Sequence, residues 1–174
     1  MRAKTIGCLL ILTTLAALSG DVVAGKNERP PKTRLRSGGA KQADNLGSYC
    51  WTWTNENDTG GGLCSDTFQH DFPKAERVRS RREFIRFKRP QRPNVLSLTY
   101  WRSVDEDGEP KGDEKELDRR IRKHIVDGEV VAYDARFRLP KDDGHYYLST
   151  FVRWKMKNGS GGDASYDYHA KLML

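Results

Sequence analysis

Apolar and polar residues alternate with a period of two along most of the chain from Tyr49 onward. This period places successive side chains on opposite faces of an extended strand. Three segments show the alternation most clearly: 131–139, 146–156 and 166–174. Weaker strand candidates are 83–88, 95–104 and the segment around Trp51. Six or seven short antiparallel strands separated by proline and glycine turns predict an all-β sandwich.

One segment, 114–126, follows two patterns at once. Asp113 and Glu116 have the spacing of a helix capping box, and three apolar residues recur after them at helical spacing. The same residues also fit a strand that ends in a hairpin turn at Asp127-Gly128. The hairpin register, however, sets polar residues opposite the apolar face of the following strand. The sequence therefore favours a short surface helix or an irregular crossover.

The first 24 residues have the organisation of a secretory signal peptide. Arg2 and Lys4 precede an apolar run over 6–18, which is shorter than the ~20 residues of a membrane span. Val22 and Ala24 supply small residues before a cleavage point, and retention as an uncleaved anchor is the alternative. The sequence predicts an exported, envelope-associated protein, and it is basic, with a formal net charge of +7 over the whole chain.

Two cysteines, Cys50 and Cys64, remain after the predicted signal peptide. Because an exported chain meets an oxidising environment, the two thiols are expected to form a disulfide, which stabilises the fold by on the order of 3 kcal/mol. The alternative, a metal site, lacks further ligands at suitable spacing, since the histidines are scattered along the chain. No cofactor and no metal are predicted.

Residues 25–45 are rich in basic side chains, proline and glycine, with almost no large apolar residues. This composition predicts a flexible basic tether, followed by a sandwich domain over 46–174. The tether has two candidate roles: it holds the domain clear of the membrane, or it is attracted to anionic polymers or lipid headgroups. Membrane contact is expected only through the signal peptide or this tether.

Asp142, Gly144 and Tyr146 match the D-x-G-x-Y pattern that opens the penultimate strand of immunoglobulin-like domains. The resemblance implies that the Tyr146 hydroxyl bonds to nearby backbone and that Leu148 faces the core. Antibody domains have their second inter-sheet cysteine at the place of Leu148, so a disulfide of that type is not implied here.

Three short motifs add a narrower resemblance: GSYCW over 47–51, CSD over 64–66 and GDASY over 162–166. Together they resemble small exported proteins of Gram-positive bacteria whose function is uncharacterised. The resemblance spans roughly 46–174 through its end motifs. The resemblance implies the location and the fold of the protein, but it implies no activity.

The residue spacings that usually organise nucleophiles, zinc or phosphate groups are missing from the sequence. Acidic residues cluster in three turn-like segments: Asp105-Glu106-Asp107, Asp113-Glu114 and Asp142-Asp143. The predicted function is therefore binding without catalysis, by a module of the cell envelope. A secreted, glycosidase-like hydrolase that uses loop carboxylates is the alternative.

A basic segment supplies the first candidate binding residues, Arg79, Arg82 and Arg86. These arginines form a solvated face or contact an anionic cell-wall polymer, whereas export argues against nucleic acid as the partner. Phe84 and Phe87 lie between and beside them and are expected to contact the core.

The last two strands supply the second candidate surface. Pairing Trp154 with Tyr166 across a loop at 157–163 sets Phe151 opposite His169 on the outer face, near Tyr147. These three residues form an aromatic patch that is either covered by the N-terminal segment or free to bind a sugar or a surface protein.

Overall fold

The computed structural model describes residues 29–37, 40–54, 59–67, 69–157 and 159–174. The predicted signal peptide, 1–24, lies outside the described residues. The described residues form β-strands, turns and bends, without a helix. The strands in chain order are β1 (Thr33–Ser37), β2 (Ala40–Ala43), β3 (Asn45–Thr54), β4 (Gly60–Ser65), β5 (Glu76–Val78), β6 (Arg82–Phe87), β7 (Val95–Trp101), β8 (Ser103–Val104), β9 (Pro110–Lys111), β10 (Lys115–Glu116), β11 (Arg119–Val126), β12 (Glu129–Arg138), β13 (Gly144–Lys157) and β14 (Ser160–Leu172).

Two sheets pack face to face, which confirms the predicted all-β sandwich. A five-stranded sheet has the order β11-β12-β6-β1-β2, and a seven-stranded sheet has the order β10-β7-β13-β14-β3-β4. The seventh strand, β5, runs parallel beside the end of β14, while the other pairings are antiparallel. The short strands β8 and β9 form a separate ribbon.

The core lies between the two sheets and is rich in aromatic side chains. Its largest fully buried members are Trp51, Trp154, Tyr146, Tyr166, Tyr168 and Phe87. The indole rings of Trp51 and Trp154 meet edge to face with their centroids 5.7 Å apart. Large aromatic groups bury much area per ordered residue, so this packing supplies much of the hydrophobic stabilisation of the domain.

The N-terminal segment differs from the sequence-based prediction of a flexible tether, because β1 and β2 lie within it. Thr33, Leu35 and Ser37 alternate toward the core, and Leu35 is 1% exposed. β1 pairs with the central strand β6, and the Tyr166 hydroxyl donates a 2.9 Å hydrogen bond to the carbonyl of Pro31. The domain therefore includes residues well before 46. Leu35 is the one large apolar side chain of β1, which is why composition alone favoured a tether.

The segment 114–126 is also corrected: it forms β10 and β11 instead of a helix or an irregular crossover. Asp127 and Gly128 both have positive φ, 50° and 82°, as a two-residue hairpin turn of the I′ type requires. A bulge in β12 then shifts the register, so that Arg122 lies opposite Asp134. This extra residue removes the unfavourable pairing that the unbulged hairpin implies.

The predicted register of β13 against β14 is wrong by four residues. Trp154 lies opposite Gly162, and Phe151 lies opposite Ser165 instead of His169. The glycine-rich segment that looked like a loop continues the strand, because the chain already reverses at Gly159, where φ is 77°. A shift by an even number of residues leaves every side chain on its predicted face.

Two local features reinforce the sandwich. Cys50 and Cys64 lie directly opposite each other on β3 and β4 and form the predicted disulfide. At the start of β13, the Tyr146 hydroxyl donates a 2.6 Å hydrogen bond to the carbonyl of Asp142, and the Arg102 guanidinium lies 4.1 Å from the Tyr146 ring centroid.

Within the described residues, no helix has the length and apolar character needed to cross a membrane.

Candidate functional site

The outer side of the five-stranded sheet carries mainly arginine side chains. Alternation along β6 turns Glu83, Ile85 and Phe87 inward, so the residues between them face outward. Cross-strand pairing places basic residues of all five strands on this same outer side. We call this surface the basic face; its basic residues are Arg34, Arg36, Lys41, Arg82, Arg86, Arg120, Arg122, Arg136 and Arg138.

Most of these side chains fall into two rows that run across the strands. One row contains Arg122, Asp134, Arg86 and Arg34. The next contains Arg120, Arg136, Phe84, Arg36 and Lys41. Neighbouring strands are about 4.8 Å apart, so a row across five strands is roughly 19 Å long. The basic face is thus an extended cationic strip and not a single point charge.

Asp134 is the carboxylate that balances part of this charge. It is 2% exposed and accepts two hydrogen bonds from Arg86, from Nε at 2.7 Å and from Nη2 at 2.9 Å. Arg86 also donates to Nε2 of His124 at 3.1 Å. In the described part of the chain, no other residue of the basic face forms an ion pair with a carboxylate. Arg86 is therefore held in place by Asp134, which neutralises its charge. The other basic side chains of the basic face are available to an external anion.

Phe84 lies in the middle of the basic face, so the prediction that it contacts the core is wrong, whereas Phe87 is fully buried. The two residues are three apart in one strand and therefore point to opposite sides. Phe84 is half-buried, and the guanidinium of Arg86 lies 5.3 Å from its ring centroid.

A cleft of about 930 Å³ opens on the basic face beside Phe84. Its lining includes the outward side chains of the sheet, Arg82, Phe84, Arg120, Arg122, Arg136 and Arg138, and one exposed carboxylate, Asp118. We call it the arginine cleft. Its volume is within the range of about 300–1,000 Å³ that is usual for small-ligand sites.

The predicted candidates Arg79, Arg82 and Arg86 are only partly brought together. Arg82 and Arg86 are members of the basic face, with different roles, since Arg82 lines the cleft and Arg86 is paired with Asp134. Arg79 is exposed in the connection between β5 and β6, outside the sheet. The basic residues of β1, β11 and β12 were missed, because only the strand order makes them neighbours of β6.

Glu83 lies on the inner side of the same sheet and is 2% exposed. Its Oε1 accepts a hydrogen bond from Ser37, whereas Oε2 has no partner among the described residues. Burial raises the pKa of this carboxyl to about 7, and the Ser37 hydrogen bond opposes the shift.

We expect Glu83→Gln to change how stability depends on pH. The folded-state pKa of about 7 lies above the ordinary value of 4.5, so the stability that Glu83 contributes is full below pH 4.5 and is lost as the pH rises toward 7. The glutamine side chain of the variant does not titrate. As the pH rises from about 4 to about 8, the free energy of unfolding of the variant should therefore increase relative to that of the original chain, by up to roughly 3 kcal/mol. Urea unfolding of both chains measures the difference, and a constant difference at all pH values contradicts the assignment.

The predicted aromatic patch is divided in the structure. Tyr147 and His169 lie opposite each other on β13 and β14 with ring centroids 4.1 Å apart. Phe151 is separate, 38% exposed, with the Arg153 guanidinium 5.6 Å from its ring centroid. The three residues therefore do not form one binding surface.

A segment over 69–73, which we call the strap, crosses the outer side of the seven-stranded sheet. Its Phe72 packs against Tyr147 and Trp101, with ring centroids 5.2 and 6.4 Å away. The strap, and not the N-terminal segment alone, covers the aromatic side chains. β2 contributes Gln42, whose amide pairs with the backbone N–H and carbonyl of His169 at 2.9 and 3.0 Å.

Histidines hold the strap in place at two points. His169 Nδ1 donates to the carbonyl of Pro73 at 3.2 Å, and His145 Nδ1 donates to His169 Nε2 at 2.7 Å. Burial, and then the neighbouring His145, lower the pKa of His169. His70 Nδ1 donates to the carboxylate of Asp167 at 3.1 Å, and this hydrogen bond raises the pKa of His70.

The His70–Asp167 pair borders a polar cleft of about 680 Å³. Its residues are far apart in the sequence, so no motif pointed to it. The backbone N–H of Asp71 also donates to Asp167, at 3.2 Å. In the described ranges, the second ring nitrogen of His70 has no hydroxyl or thiol within hydrogen-bond distance. The pair therefore orients the strap.

Two of the loop carboxylates considered for hydrolysis accept hydrogen bonds from backbone groups. Asp143 Oδ1 accepts from the N–H of Leu174 at 3.0 Å. Asp105 Oδ1 accepts from the N–H groups of Asp107 and Glu109 at 3.0 and 2.9 Å. Asp142 takes part in the turn through its carbonyl, which accepts from Tyr146. These contacts assign Asp143 and Asp105 to turn formation. In the described residues, no group of three histidine, cysteine or acidic side chains is arranged to hold a metal ion.

The fold and the basic face define an all-β sandwich with a cationic sheet surface. Comparison with protein-family models, with curated proteins and with solved structures found no match to this chain.

Proposed function

We propose that the protein is a binding module of the cell envelope, without catalytic activity, and that its basic face binds an anionic polymer. The observation that supports this most is the array of nine basic side chains on one sheet face, where the described residues include a single ion-paired carboxylate. Assembling like charges on one face opposes folding, so the arrangement is expected to serve a partner of opposite charge.

The shape of the basic face favours a linear polymer over a small anion. A row of roughly 19 Å presents cations at intervals of one or two strand spacings, about 5–10 Å. A polymer with one anionic group per repeating unit makes several such contacts at once, and each weak contact adds to the others. Guanidinium groups also match the planar geometry of carboxylate and phosphate oxygens.

The envelope location rests on the predicted signal peptide, and the Cys50–Cys64 disulfide is compatible with it. An anionic polymer outside the membrane is therefore the proposed partner. The carboxylates of Asp143 and Asp105, held by backbone groups, give no support to the alternative of a hydrolase.

Charge reversal on the basic face tests the proposal. The double variant Arg120→Glu/Arg138→Glu should lower affinity for isolated cell-wall material about tenfold or more at low salt. Folding should be preserved, because the new carboxylates lie opposite Arg136 and Arg82 across the strands. A salt-dependent pull-down measures the affinity.

The matched control is Arg77→Glu/Arg79→Glu, which changes the net charge equally at exposed positions outside the basic face. This control should lose no more than about twofold. Equal losses in the two double variants would show that net charge alone attracts the polymer and would refute a specific surface.

A further inference from the structure

The arginine cleft combines an aromatic ring with cations, which is more than a purely electrostatic surface needs. Phe84 lines the cleft together with Arg82 and Arg138, on the side of the sheet turned away from the core. The half-buried ring gains no core contact, and part of its apolar surface stays in contact with water. Its position therefore points to a ligand with both an apolar surface and a negative charge.

The neighbours of Phe84 hold the ring in place. Arg86 lies against it, 5.3 Å from the centroid, and is itself fixed by two hydrogen bonds to the buried Asp134. Arg86 belongs to the row on one side of Phe84, whereas Arg82 and Arg138 lie on the other side, where the cleft opens. One side of the ring is thus packed, and the side that borders the cleft is available.

We propose that the arginine cleft binds a single acidic sugar unit of the polymer, with the sugar ring packed on Phe84 and its acidic group held by the surrounding arginines. The inference rests on the proposed function and narrows the ligand to an anionic glycan. Aromatic rings bind the apolar C–H faces of sugars, and guanidinium forks bind carboxylate, sulfate or phosphate groups. A polymer of phosphate alone has no ring to pack on Phe84.

The test compares three defined probes on the full chain: oligogalacturonate, inorganic polyphosphate and single-stranded DNA. Phe84→Leu keeps an apolar side chain and removes the ring. We expect it to lower the affinity for oligogalacturonate about fivefold and to leave the affinity for polyphosphate within about twofold. The matched control is Phe151→Leu, which removes an exposed aromatic ring from the other sheet and should change neither affinity.

A direct measurement keeps the test independent of the variant's stability. In the original chain, saturation of the protein's aromatic protons should transfer to the sugar ring protons of bound oligogalacturonate, and Phe84→Leu should reduce that transfer. Equal losses for oligogalacturonate and polyphosphate, or no loss for either, would overturn the sugar subsite. A larger loss for single-stranded DNA than for oligogalacturonate would overturn it as well, in favour of base stacking. If the original chain binds none of the probes or cell-wall material, the proposed function itself fails.

Discussion

A chain that begins at residue 46 will not form the native domain, because it lacks β1 and β2. β1 occupies an interior place in the five-stranded sheet, and Leu35 is buried between the sheets. Removing the segment that contains β1 leaves one edge of β6 without its partner strand, and it removes the backbone carbonyl of Pro31 that accepts from Tyr166. We expect the free energy of unfolding to fall by more than about 5 kcal/mol, comparable with the entire stability of a small domain.

Urea unfolding followed by tryptophan fluorescence measures this effect, since Trp51 and Trp154 are buried in the core. The matched control is a chain beginning at Arg29, which retains both strands and should unfold like the longer chain. A cooperative transition of normal amplitude for the chain that begins at residue 46 would show that β1 and β2 are dispensable.

Gly162→Ala should destabilise the domain by about 3 kcal/mol or more. Gly162 pairs with Trp51 on β3 and with Trp154 on β13, at the centre of the aromatic core. A Cβ atom there would lie 2.0 Å from the carbonyl oxygen of Cys50 and 2.9 Å from Cα of Trp51. Both contacts are with backbone that the neighbouring strand and the disulfide hold in place, so the clash cannot be relieved by a rotamer change.

The backbone φ of 147° at Gly162 adds a conformational cost, and a variant at a second positive-φ glycine measures the effect of alanine at such a position without a clash. Gly112 also has a positive φ, 81°, but a Cβ built there meets nothing within 4 Å. Gly112→Ala should therefore cost only about 1 kcal/mol. Similar losses of stability in the two variants, measured by thermal unfolding, would mean that the close approach at Gly162 is not the cause.

The sequence was sufficient to predict the class of fold and the disulfide. Strands that bury one face repeat their apolar residues every second position, and β12, β13 and β14 do so over long stretches. The predictions failed where local signals conflicted with tertiary structure. β1 has one large apolar residue, Leu35, and its burial depends on the partners that β6 and β14 supply.

The errors in β11 and in the β13–β14 register have a common physical origin, which is the geometry of turns. A single bulged residue in β12 moved Arg122 from an unfavourable position to one opposite Asp134. A reversal at Gly159 set the register of the last hairpin four residues away from the predicted one. Composition does not reveal such features, because one residue more or fewer in a turn changes every pair beyond it.

The basic face was only partly predictable for a similar reason. Arg82 and Arg86 stand in one basic segment, and that local density made them candidates. The arginines that complete the surface come from strands far apart along the chain, and only the order β11-β12-β6-β1-β2 makes them neighbours. The His70–Asp167 pair was missed in the same way, since the two residues are 97 positions apart.

The contact between the two ends of the domain has a consequence for biosynthesis. Thr33 of β1 is hydrogen-bonded to Tyr168 of β14, and Pro31 accepts from Tyr166, each pair 135 residues apart. The core side of β1 is therefore not fully covered until β14 has been synthesised. Such non-local topologies fold slowly, and a nascent chain that still lacks β14 is expected to stay largely unfolded. An unfolded chain is the form that a narrow translocation channel admits, which agrees with the proposed envelope location.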